Sequence, residues 1–231
     1  MLFFFLTLMA RAAGPLPCGT PTKRADFLVP RRTDVAPPSA DLIDQESHGE
    51  VAHVQYSEHF ALKWGPDFSP SEATTTRILA DFEYAHDTQV IAWEMSDPTG
   101  GGGTYFNVYL GDTGGVVPSA NGNAGYYTLD ASGYPMIVLN HELVSDEFYI
   151  RSVVAHEFFH AVQHAEEAFY YEDTGSWYWE ATACWAAGRS VPESDAFSGF
   201  LAWYALQPAA GLYHHSFTDH EGAPQIGRAH V

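Results

Sequence analysis

Ile150-Arg-Ser-Val-Val-Ala-His-Glu-Phe-Phe-His-Ala-Val-Gln-His-Ala165 is the stretch on which the fold turns. Val153, Val154, Phe158, Phe159 and Val162 flank its polar residues with apolar ones, so it reads as a helix that is buried rather than laid on the surface. The predicted helix covers about 146–168. Side chains four apart on a helix stand one above the other, so His156 and His160 can reach a single metal ion. Glu157 is turned by about 100° from His156, close to that ion but outside its ligand set. His164 continues the same face two turns from His156, too far to share the ion; a surface or supporting role is expected.

The flanking segments supply strands and two more helices. His59-Phe-Ala-Leu-Lys-Trp64 alternates like a strand. Ser69-Pro-Ser-Glu72 predicts a helix start, with Ser69 as cap and Glu72 closing a capping box. Ile78, Phe82, Ala85 and Val90 then give a core face as far as about Trp93. Strands are predicted over 105–110 and 135–139. The glycines at 100–103 form a loop without the Lys-Ser/Thr ending of a phosphate-binding turn. After the central helix, Ser176 is read as the cap of another helix that carries Trp177, Trp179, Glu180 and Trp185 and stops at Gly188. The tryptophans read as core or as a substrate wall. A last amphipathic helix is expected over 194–206. No internal repeat or second domain is visible, so the fold class is α+β in one domain spanning 49–225.

An apolar share of 46% and an aromatic share of 15% suit a packed core, despite a net charge of -19. That charge argues against nucleic acid or an anionic membrane as partner. Acidity is compatible with calcium, although no EF-hand loop is present. Residues 1–13 read as a signal peptide, with an apolar run over 2–10 too short to span a bilayer. Export follows as the expected localisation. Residues 14–48 read as a propeptide or linker with a processing site at Arg31-Arg32. Ile226-Gly-Arg-Ala-His-Val231 resembles a translated sequencing adapter, so the natural domain is expected to continue beyond it, and His230 is set aside as a ligand. The two cysteines, Cys18 and Cys184, can pair after export, remain thiols, or place Cys18 over the metal.

Zinc in a hydrolytic site takes three protein ligands and leaves the fourth place to water. His156-Glu-Phe-Phe-His160, followed twenty residues later by Glu180 on its own helix, resembles the gluzincin, thermolysin-like branch of zinc metallopeptidases. More narrowly, Val154-Ala-His-Glu-Phe-Phe-His-Ala-Val-Gln163 and Trp179-Glu-Ala-Thr-Ala183 resemble a group of predicted secreted bacterial metallopeptidases. The metzincin pattern fails, because Gln163 and Glu166 stand where it needs Gly and His.

The resemblance implies a zincin-like fold: a small mixed sheet with an edge strand over the cleft, a backing helix, an active-site helix and a glutamate helix. It implies one catalytic zinc on His156, His160 and Glu180, with Glu157 as general base and acid toward a metal-bound water. A protein or peptide substrate would lie along Met136, Ile137, Val138 and Leu139 as the edge strand. Tyr171, with His214 or His215, would stabilise the oxyanion. Cys184 stands where the pattern has an acidic residue that orients a ligand histidine, which leaves that partner unassigned. The expected function is a secreted zinc-dependent endopeptidase. The alternatives are a catalytically silent binding module of zincin fold and a structural protein with two core histidines.

Overall fold

The computed structural model describes residues 41–46, 48–99, 103–168 and 176–194. Cys18, Tyr171, His214, His215, the expected signal peptide and the helix expected after residue 194 lie outside the described residues. Five strands and three helices follow one another: β1 (His53–Tyr56), β2 (Phe60–Trp64), α1 (Glu72–His86), β3 (Phe106–Gly111), β4 (Gly125–Leu129), β5 (Pro135–Asn140), α2 (Glu147–Ala165) and α3 (Ser176–Ser190). The protein is a mixed α+β fold with one sheet in the order β1-β2-β3-β5-β4. β2, β3 and β5 run parallel, whereas β1 and β4 are antiparallel to their neighbours. Among the described residues no helix is long and apolar enough to cross a membrane.

The strands alternate between two covered faces. Phe60, Leu62, Val108, Leu110, Ile137 and Leu139 pack under the helices, against Ile78, Leu79, Phe82, Val154 and Phe158. Tyr109, Met136 and Val138 point the other way, onto Ala120, Val51 and Val117. A strand buried on both faces has no polar side to show, which is why β5 reads as an apolar run. The same burial corrects the substrate-strand expectation. β5, with Met136, Ile137, Val138 and Leu139, lies between β3 and β4, so its backbone is already paired on both sides. Among the described residues the edges of the sheet are β1 and β4; β4 is antiparallel, and its turn to β5 is built by Asp130, which accepts from the amides of Ser132 and Tyr134.

Two helix boundaries also differ from expectation. α1 is capped by Ser71, not Ser69: the Ser71 hydroxyl accepts from the Thr74 amide at 3.1 Å. α1 then continues into a π-helical stretch, Asp87–Ala92, whose Gln89 donates to Ala155 O at 2.8 Å and ties this end to α2. α3 runs past Gly188, which faces open space, and ends at Ser190, two residues before Pro192.

Residues 41–46 form a strap over the face away from the helices. Ile43 bridges Thr104 in parallel. Lys63 on β2 is 1% exposed, and its ammonium meets Asp44 at 2.6 Å, Glu46 at 2.9 Å and Gln45 O at 3.0 Å. The boundary expected at residue 48 therefore falls beside a segment that is part of the packed structure.

Candidate metal centre

α2 is buried along most of its length, and α3 packs against it. That contact brings the two helix-borne histidines to the glutamate of the next helix. His156 Nε2 lies 3.1 Å from Glu180 Oε2, His160 Nε2 lies 3.6 Å from the same oxygen, and the two Nε2 atoms are 3.1 Å apart. Ligands about 2.1 Å from a tetrahedral zinc ion are separated from one another by about 3.4 Å. Three donor atoms of the right chemistry thus stand at nearly the spacing a zinc ion requires, so the residues fit the group.

Gln163 fixes one of these rings. Its Nε2 donates to Trp179 O at 3.1 Å and to Thr182 Oγ1 at 2.7 Å. A carbonyl only accepts, so the amide oxygen must face the other way, toward His160 Nδ1 at 2.8 Å. Nδ1 therefore carries the proton, and the lone pair sits on Nε2, where the other donors converge. The Trp179 ring stacks on His160 at 5.0 Å and 6°, holding its plane. Sequence reasoning missed Gln163. Its signal was a polar residue one helical turn after His160, between the apolar Val162 and the rest of the buried face.

Glu157 is buried beside the two histidines, its carboxylate within 4.8 Å of their ligand atoms. The Tyr127 backbone on β4 lies beside it and slightly favours its charged form, while Oε2 accepts no hydrogen bond among the described residues. Burial pushes the Glu157 carboxyl above its usual range, against the pull of His156 and His160. Glu180 goes the other way: burial raises it, but His160 and His156 hold it well below the usual range. Two carboxylates in one pocket are thus driven apart in acidity. Burial also disfavours charge on His160, yet Glu180 outweighs it and raises the ring.

His164 faces β4, where its Nδ1 meets the Tyr127 hydroxyl. Among the described residues Cys184 is a free thiol, pushed upward by burial and by Glu180 and Glu157. Its expected partner Cys18 is outside the described residues. Trp185 is exposed and packs on Trp93 at 5.4 Å.

In comparisons with protein-family models, curated proteins and solved structures, the chain finds no match.

Proposed function

We propose that this chain is a secreted zinc-dependent endopeptidase of zincin-like fold. The observation that carries the reading is the convergence of His156 Nε2, His160 Nε2 and Glu180 Oε2 beside the buried carboxylate of Glu157. An antiparallel edge strand, β4, packed beside the histidine helix supports the zincin-like reading. The apolar run over 2–10 supports export.

His156, His160 and Glu180 would hold the ion, with Gln163 orienting His160. Zinc, when bound, supplies Lewis acidity that acidifies a coordinated water and polarises the scissile carbonyl. Glu157, with its raised affinity for a proton and an unengaged Oε2, takes a proton and returns it to the leaving amine. An extended peptide adds to the outer edge of β4, in hydrogen-bonding reach of the strand that contacts Glu157.

Glu157→Gln tests the reading. The variant should retain zinc and lose casein hydrolysis by about two to four orders of magnitude, whereas His160→Ala should lose the zinc itself. Casein cleavage by Glu157→Gln at the parent's rate would overturn the assignment. Zinc binding by the parent with no hydrolysis of any peptide would favour the silent binding module instead.

A further inference from the structure

We propose a second divalent-cation site, formed by Glu58, His59 and Glu83 and suited to zinc, that shares no residue with the candidate metal centre. Glu58 and His59 lie in the turn between β1 and β2, and Glu83 projects from the last turns of α1. A carboxylate oxygen of Glu58, a ring nitrogen of His59 and a carboxylate oxygen of Glu83 lie within 4.8 Å of one another.

Glu83 is fully buried, and its orientation is fixed from three sides. Oε1 accepts from the Ser57 hydroxyl at 2.6 Å and from the His59 amide at 2.9 Å, while Oε2 meets His59 Nδ1 at 2.7 Å. Glu58 adds a second carboxylate to the cluster.

A second imidazole backs the cluster. His86 at the end of α1 is 3% exposed and stacks on His59 with centroids 4.1 Å apart. Its Nδ1 makes no hydrogen bond among the described residues, and its Nε2 lies 3.5 Å from Asp97 Oδ1. Calcium and magnesium prefer oxygen alone, whereas an imidazole with carboxylates suits zinc. Uptake of the ion displaces the proton that His59 Nδ1 shares with Glu83 Oε2, so one proton leaves for each ion bound.

Zinc content of the full chain, measured after dialysis at buffered free zinc, tests this. Glu58→Gln and His59→Gln should each bind one zinc equivalent fewer than the parent, and a His156→Ala/His160→Ala chain should keep that equivalent. Glu58→Gln leaves the buried His59–Glu83 pair in place, so its count reads the site rather than a failure to fold; circular dichroism checks that both variants are folded. Parent-level zinc in Glu58→Gln and His59→Gln overturns the proposal. Because each count is taken against the parent, that result is distinct from failure of the peptidase reading, which is decided by Glu157→Gln.

Discussion

At His160 the tautomer is set by a neighbour outside the His156–His160–Glu180 triangle: the Gln163 amide oxygen accepts from Nδ1–H because Trp179 O and Thr182 Oγ1 hold its amide the right way round. Gln163→Ala frees the ring to turn and to protonate at the wrong nitrogen. Zinc affinity should fall by about 10–100-fold, read by competition with a chromogenic chelator; an unchanged affinity would mean that Trp179 stacking alone orients the ring. The His59–Glu83 pair has a pH signature of its own in the metal-free chain. Burial disfavours charge on His59, but Glu83 overcomes it and raises the ring above its ordinary 6.5. That contribution is complete below 6.5 and is lost as pH rises through the elevated value. Glu83, held below 4.5, contributes above that pH and fails only as pH drops through its depressed value. Thermal melting of metal-free protein should therefore fall as pH rises above 6.5, and His59→Gln should flatten that limb. An equal fall in both proteins would remove His59 as its source.

Between elements, the contact of β4 with α2 positions the Tyr127 backbone beside Glu157. Gly125 lies in that contact: an added Cβ would sit 3.0 Å from Val153 Cγ1 and 3.1 Å from Val138 O. Gly125→Val should cost about 1–3 kcal/mol in denaturant unfolding through overpacking. If hydrolysis requires the Tyr127–Glu157 contact, it should also lower kcat more than KM. Stability equal to the parent's would show that strand and helix move apart freely. Long elements were legible in the sequence because periodicity and burial agree there: α2, the core face of α1, and the strands at β2, β3 and β5. β4 and β1 were not, since Gly125-Tyr-Tyr-Thr-Leu129 and His53-Val-Gln-Tyr56 owe their shape to a partner strand rather than to their own alternation. The family resemblance implies an edge at β5, whereas its apolar run marks a strand enclosed on both sides. The convergence of His156, His160 and Glu180 was legible because it depends on two helices, whereas the place of Gln163 needed the second helix before it could be seen.

Across the whole molecule, the strap over 41–46 neutralises Lys63, an ammonium inside the sheet's covered face. A chain beginning at residue 49 should be about 3–5 kcal/mol less stable than one beginning at 41, because it strands that charge without partners. Lys63→Met should recover much of the loss in the shorter chain and little in the longer one. Equal unfolding midpoints for the two lengths would show the strap to be dispensable. Cleavage at Arg31-Arg32, by contrast, would leave Asp44 and Glu46 with the mature protein. The strap crosses the side of the sheet that α1 and α2 do not occupy, so the polypeptide enters the fold behind the histidine helix. Immobilising the protein through a tag ahead of Asp41 would turn that rear side to the support and leave the helical side, with α2, facing the solution.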